Sequence, residues 1–342
     1  MFDSLYLYND YNTEDALCQE IFNDKQKKLI THMREKDKIL KNLVSAAELA
    51  GKTKSYISNI IDCGTLIKTD ENNVIIQGNF CHARLCPVCA WKRSLKLFHE
   101  VNNITKYITA ENPKIRFLFI TLTQKNVKAE QLNDEISRIM YGFKRFRQFS
   151  KISKASLGII KSLEVTYNSK DNSYHPHIHA VIAVPSSYFK RGSPLYISAS
   201  DISMLWKRAL NINQEKSINT DLQAIKQEEQ EKAIAEVCKY AVKLCSVANS
   251  ENINALSHIM NAIHGRRLFS SSGIFRRAAR ILKIDLENTA EEEIAEEITE
   301  NGTNYMIWTK GNYKKSSNQA INQDYGTVQN ERCIYKKESV KP

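Results

Sequence analysis

Residues 158–184, GIIKSLEVTYNSKDNSYHPHIHAVIAV, decide the fold. Two runs rich in β-branched residues, 158–168 and 175–184, flank the polar turn DNSY, which is the pattern of an antiparallel hairpin. Successive side chains on a strand point to opposite faces, so His175, His177 and His179 share one face while Ile178, Ile182 and Val184 take the other. The chain has eight histidines, and three of them fall at alternate positions here. A single core histidine is ordinary. Neighbouring histidines on one face compete for the same hydrogen-bond partners, and imidazole is the commonest metal ligand. The pair His177 and His179 therefore reads as metal-binding. A catalytic ion keeps open positions, so two histidines need a further ligand. Glu164 is the candidate, because the hairpin brings it near the histidine face and an unpaired buried carboxylate is costly. An edge position facing water is the other reading of Glu164.

Working outward, RFLFITLTQ at 116–124 has strand composition, and 129–149 has helical periodicity with a basic end, Lys144, Arg145 and Arg147. The spacing predicts a few short helices over 13–62, a hairpin-like stretch over 63–80, and helices over 91–109, 200–211 and 221–247. The acidic ENTAEEEIAEEITEN reads as a solvated helix, and NYMIWTKGNYKK as a small terminal strand. The order predicts an α+β protein with helices packed on an antiparallel sheet. Four parts are expected: an N-terminal helical segment (1–62), a cysteine-rich segment (63–100), the main domain (101–284), and an acidic helix with a tail (285–342).

Of 342 residues, 42% are hydrophobic and 25% charged, ordinary values for a globular protein with a sizeable core. No stretch approaches the roughly 20 apolar residues of a membrane span. The first residues lack the basic, apolar layout of a signal peptide, so the expected location is cytoplasmic, with no membrane partner. Net charge is +11, and residues 285–342 carry 11 acids against 7 bases, so the first 284 residues hold +15. A basic body with an acidic tail points to a polyanion, most simply nucleic acid.

Eight cysteines in a reducing compartment read as metal ligands before disulfides. Cys63, Cys81, Cys86 and Cys89 follow the spacing C-x17-C-x4-C-x2-C, and the tight CPVC knuckle supplies two thiolates to a structural zinc site. His82 is the alternative to Cys63 as the fourth ligand. Cys18, Cys238, Cys245 and Cys333 read as packing thiols. Lys92 and Arg93, just after the knuckle, suit phosphate contacts. In EVCKYAVK, residues 236–243, Glu236, Lys239, Tyr240 and Lys243 share one helical face. Alone this is an exposed stripe. Beside a metal site it describes phosphodiester chemistry, with a tyrosine nucleophile helped by cations.

Taken together, the segments resemble the replication initiators of small rolling-circle plasmids from Gram-positive bacteria, within the HUH endonucleases. CHARLCPVCAWKRS, FLFITLT, LEVTYN, HPHIHAVIAV and EVCKYAVK occur in that order, and GRRLFSSSGIFR at 265–276 is similar to a further stretch of these initiators. The similarity covers residues 63–276, about two-thirds of the chain. It implies an HUH nuclease domain preceded by a zinc-ribbon-like segment. It further implies that His177, His179 and Glu164 hold Mg²⁺ or Mn²⁺ and that Tyr240 attacks one phosphodiester of the plasmid origin. The products are a 5′-phosphotyrosine and a free 3′-OH. Glu236 then activates water at termination, where two-tyrosine relatives use a second tyrosine. Lys239 and Lys243 assist the tyrosine; Arg266 and Arg267 join the DNA-contacting set; and a host helicase and polymerase are the implied partners. An HUH transposase or relaxase shares the metal and tyrosine. A zinc-ribbon DNA-binding regulator explains the charge and cysteines but leaves EVCKYAVK and LEVTYN without a role.

Overall fold

The computed structural model describes residues 24–70, 74–215, 218–238, 252–286 and 304–316. The predicted hairpin is its centre. β4 (Gly158–Asn168) pairs antiparallel with β5 (Ser173–Pro185), with Glu164 directly across from His177. On its other side β5 pairs with β3 (Ile115–Leu122), whose free edge takes β6 (Thr220–Ile225), while β7 (Phe269–Ser271) pairs with β4. The order is β6-β3-β5-β4-β7.

Both faces of this sheet are buried. Ile159, Leu163, Val165, Ile178, Ile182 and Val184 pack against α4 (Ala129–Phe146) and α6 (Ala199–Ala209), together with α8 (Ile253–Ala262). Leu132, Ile136, Ile139 and Phe143 of α4 recur at helical spacing and form its inward stripe. The opposite face, with Phe117, Ile160, Val181 and Ala183, is covered by α3 (Pro87–Glu111), α7 (Gln230–Cys238) and α9 (Ile274–Ile281). Helices on both sides explain why β5 reads apolar on both faces beyond residue 179, where a one-sided sheet would alternate. A short helix, α5 (Ser150–Ala155), links α4 to β4.

A second sheet lies upstream and downstream of the first in sequence. After α1 (Asp24–Leu49) and α2 (Lys54–Asp62), β1 (Leu66–Thr69) pairs with β2 (Ile75–Gly78). The other edge of β1 takes β8 (Asn304–Thr309), which forms a hairpin with β9 (Asn312–Ser316). The strand pairing thus joins the 63–100 and 285–342 segments.

Three expectations need correction. Among the described residues the N-terminal region holds one 26-residue helix, not several short ones, before α2. No Pro or Gly interrupts it, and Gly51, at φ +68, ends it by the left-handed turn that Gly favours. The helix expected over 221–247 gives way to strand β6 at Thr220–Ile225, because the open edge of β3 supplies backbone partners that outweigh local propensity. Helix begins only at Gln230, and 239–251 lie outside the described residues. The terminal strand is a two-stranded hairpin. The acidic stretch 287–303 also lies outside the described residues, as do Cys18, Cys245 and Cys333.

Lys161, on β4, is 6% exposed, and among the described residues no acceptor meets its Nζ. Burial pushes its pKa down to about 8, with the Arg267 charge adding to the effect. Because the folded value lies below the unfolded one, the ammonium destabilises the fold at neutral pH, and this penalty fades as pH rises through 8 toward 10. Lys161→Met is expected to stabilise the protein by about 2–3 kcal/mol at pH 7, since each tenfold weakening of proton binding on folding costs about 1.4 kcal/mol. Denaturant melts at pH 7 and pH 9.5 check it: the wild type gains stability between them and the variant does not.

Candidate metal centres

The hairpin register builds the first centre. Glu164 Oε2 lies 3.2 Å from His177 Nε2 and 3.2 Å from His179 Nε2, and all three side chains are nearly covered. The His177 Nδ1–H donates to the carbonyl of His175 at 3.0 Å. A carbonyl only accepts, so a neutral His177 presents Nε2 as a lone pair, facing a carboxylate oxygen. Two acceptors at that distance need a cation or a proton between them. His179 Nδ1 bonds Thr121 Oγ1 at 3.2 Å, and its ring stacks on Phe119 at 5.6 Å. Each imidazole is therefore held from behind, as metal-ligating histidines usually are. Bonds of about 2.1 Å at right angles put neighbouring ligand atoms about 3.0 Å apart, so the two 3.2 Å separations suit residues that would share one small divalent ion. Burial pushes the Glu164 carboxyl up, but with protons in the place of a metal ion the hydrogen bonds and charge of the two imidazoles outweigh burial and hold it well below the usual carboxylate range.

His175 does not join this group. Its ring stacks on His177 at 5.1 Å, and its part in the centre is the backbone carbonyl. Thr121 was not singled out from sequence; the TLT stretch was, but only the register of β3 against β5 puts Thr121 opposite His179.

The second centre is the cysteine cluster. Cys63 caps the C-terminus of α2, Cys86 caps the N-terminus of α3 with Pro87 in the first turn, and Cys89 follows in that turn. The sulfurs of Cys63 and Cys89 are 3.5 Å apart, Cys63 and Cys86 3.6 Å, and Cys81 and Cys89 3.7 Å. These spacings exclude a disulfide. A tetrahedron with metal–sulfur bonds of about 2.3 Å has edges of about 3.8 Å, so four thiolates fit a zinc ion. His82 is not in the cluster. The neighbouring thiols and the Lys36 charge push Cys86 toward the thiolate. Lys36 is fully buried and donates to the carbonyls of Ile61 and Cys63 at 3.0 and 2.6 Å. Its sequence signal was a lysine three residues after Met33 and four before Leu40 in an apolar stripe. Gly64, at φ +74, lets the chain turn here, and a Cβ would come 2.5 Å from Met33 Sδ. Tyr313 donates to the Gly64 carbonyl at 2.6 Å, tying the terminal hairpin to this turn.

The expected tyrosine constellation falls only in part among the described residues. α7 lies on the same sheet face as the histidines, through Ile234, Val237 and Cys238 packed with Ile160 and Val181. Glu236 is half-buried on it. Lys239, Tyr240 and Lys243 lie outside the described residues.

The basic candidates occupy several elements. Lys92 sits over the Phe80 ring at 3.2 Å, and Arg93 is buried, donating to the His82 carbonyl at 2.9 Å. Lys144 and Arg147 are exposed at the end of α4, on the sheet face opposite the histidines. Arg145 donates to the Ala209 carbonyl and Asn211 Oδ1 at 3.1 and 2.9 Å, linking α4 to α6. Arg266 donates to Asn133 Oδ1 and Ser137 Oγ of α4 at 2.8 and 2.9 Å, and Arg267 is exposed. Among the described residues no helix is long and apolar enough to cross a membrane.

Two candidate metal sites on a basic α+β scaffold fit a protein that handles a polyanion. The chain belongs to the Rep_1 family of replication proteins, whose model matches residues 72–317. A "Protein rep" of Streptococcus pneumoniae is 30% identical, covering 77% of this chain and 85% of its own length. Another from Lactiplantibacillus plantarum is 31% identical over 84% of this chain and 99% of its own length. A "Replication protein" of Staphylococcus aureus is 30% identical over 63% of this chain and 96% of its own. No solved structure matches the chain. The resemblance to rolling-circle plasmid initiators stands.

Proposed function

We propose that the chain starts rolling-circle replication by nicking one strand of its plasmid origin, with Tyr240 as nucleophile. The observation that carries this reading is the convergence of His177 Nε2, His179 Nε2 and Glu164 Oε2 at 3.2 Å, two of them aimed by partners behind the rings. Mg²⁺ or Mn²⁺ held there supplies charge against the scissile phosphate oxygens. The Tyr240 oxygen forms a bond to phosphorus and loses its proton, and the 3′ oxygen leaves and takes up a proton. The 5′-phosphotyrosine conserves the phosphodiester energy, so strand closure needs no ATP, and the 3′-OH primes a host polymerase behind a host helicase. Lys239 and Lys243 favour the phenolate and the anionic phosphate. Glu236, four residues before Tyr240 in sequence, accepts a proton from water at termination, so the protein is released by hydrolysis. The four cysteines hold structural Zn²⁺, and the exposed Lys144, Arg147 and Arg267 with the half-buried Lys92 are the candidates for DNA contacts. Arg93, Arg145 and Arg266 support that surface through the contacts above.

The test incubates the protein with supercoiled plasmid carrying the cognate origin, in Mn²⁺ or EDTA. Wild type is expected to nick and form a 5′-linked adduct only with metal. Tyr240→Phe gives neither product, and Glu236→Tyr nicks but stays covalently attached after a full round. Origin binding with no nick in any metal would overturn the nuclease reading.

A further inference from the structure

Between β5 and α6 the chain makes one 3-10 turn, Ser186–Phe189, and then a loop over 190–198. Tyr188 anchors it. Its ring is buried, its hydroxyl donates to the Ile197 carbonyl at 2.8 Å, and the Ile197 N–H donates back to that oxygen at 3.3 Å. The backbone N–H groups of Lys190, Ser193 and Tyr196 each bond the carbonyl three residues earlier, and Gly192 turns the chain at φ +74. A loop held this way from within presents two rings to solvent. Phe189 and Tyr196 lie 4.9 and 5.6 Å from the Tyr188 ring, centroid to centroid, and are 47% and 55% exposed. The surface continues along α6. Asp201 pairs with Lys151 of α5 at 2.6 Å, and Arg208, seven residues and about 10 Å further on, lies over the Phe149 ring at 5.2 Å. Met204, between them, is exposed.

Residues 186–212 contain four bases, Lys190, Arg191, Lys207 and Arg208, against the single acid Asp201, which Lys151 already meets. Exposed rings beside cations match what an unpaired nucleotide presents, an apolar base face and an anionic phosphate. A duplex stacks its bases on one another and leaves such rings in water. Lys190 and Arg191 fall between the two rings in sequence, whereas the core of a protein interface is depleted of lysine. We propose that this loop and the outer face of α6 bind single-stranded DNA, with Phe189 and Tyr196 stacking on unpaired bases and Lys190 and Arg191 meeting the phosphates between them. The assignment rests on the replication reading above and deepens it, since opening one strand of an origin frees unpaired DNA. Pro185, where the loop leaves β5, is eight residues from His177, about 26 Å along the strand. The core residues of α6 pack on the sheet face opposite the histidines. The loop therefore holds unpaired strand at a distance from the scissile phosphate.

The test measures binding of full-length protein to a fluorescent oligothymidylate and to a matched duplex across a salt series. Phe189→Ala and Tyr196→Ala are each expected to weaken single-strand binding about fivefold or more, with duplex affinity unchanged. Arg191→Ala reduces the slope of log K against log salt by about 0.7, the loss of one single-strand phosphate contact. Tyr196→Trp keeps the affinity, and its added fluorescence is quenched when the oligonucleotide binds, a signature of a stacked base. Phe189→Leu and Tyr196→Leu, which keep apolar volume and remove the ring face, replace any alanine variant that melts early. Unchanged single-strand affinity in the folded double variant overturns the proposal, and so does an equal loss on duplex. Self-association that the double variant abolishes, with single-strand affinity untouched, overturns it in favour of an interface between copies. Wild type that binds the oligonucleotide through these rings but never nicks an origin sinks the nuclease reading alone. Wild type that nicks while the ring variants bind like it sinks the loop alone.

Discussion

Glu164→Gln is expected to lower metal-dependent nicking by about 100-fold or more and to weaken Mn²⁺ binding at least tenfold. The substitution keeps shape and one oxygen but removes the only negative charge among the three converging ligands. A neutral amide beside two neutral imidazoles leaves a divalent ion uncompensated in a nearly buried site. Raising the Mn²⁺ concentration recovers part of the rate, because the defect lies in affinity before it lies in chemistry. Thr121→Val is the informative companion. It keeps all three ligands and removes only the hydroxyl behind His179 Nδ1, so a drop of roughly tenfold, smaller than for Glu164→Gln, is expected. Calorimetric Mn²⁺ titration beside a nicking assay checks both. Glu164→Gln binding Mn²⁺ like wild type would remove Glu164 from the ligand set.

Cys86→Ala is expected to eliminate bound zinc and cost several kcal/mol of stability. The thiolate sits at the start of α3, where the helix N-terminus and the Lys36 ammonium both favour negative charge. Four ligands from three segments are joined at one point, so losing one releases the C-terminus of α2, the knuckle loop and the first turn of α3 together. The cost stays below the full zinc-binding energy of a finger peptide, roughly 10 kcal/mol or more, because this module has a core of its own. Ile60, Ile61, Val88 and Leu43 are buried without help from the metal. Cys238→Ala is the control, since Cys238 is buried against α3 and the sheet and away from the cluster. Zinc content by mass spectrometry of the native protein, with thermal melts, separates the cases. One equivalent of zinc retained in Cys86→Ala would refute the four-thiolate site.

What the sequence made legible was local. β4 and β5 were readable because their composition, the DNSY turn and the two-residue period are all contained in 27 consecutive residues, and from them the closeness of Glu164 to the histidine face follows. The cysteine spacing was readable because ligand chemistry narrows the partners. What escaped depends on distant chain. TDLQAI is a strand only because β3 offers an open edge, and Lys36 caps α2 only because α1 is long enough to bring it there. A concavity lined by Lys52, Arg84 and His264 draws on three distant segments, and no window of sequence contains them together.

The strand β8 has a consequence for the order in which the molecule matures. Leu66 pairs with Ile307, so the sheet beside the cysteine cluster begins near the start of the chain and is completed near its end. During synthesis at about 5–20 residues per second, β1 waits roughly 10–50 s for the strand that covers its edge. In that interval an unpaired edge is exposed, with the hazard of pairing with the wrong chain. The five-stranded sheet, whose strands among the described residues run from 115 to 271, has its last strand before then. A ribosome that stops short of residue 304 therefore releases a chain whose larger sheet has all five of its described strands and whose cysteine module has an open edge.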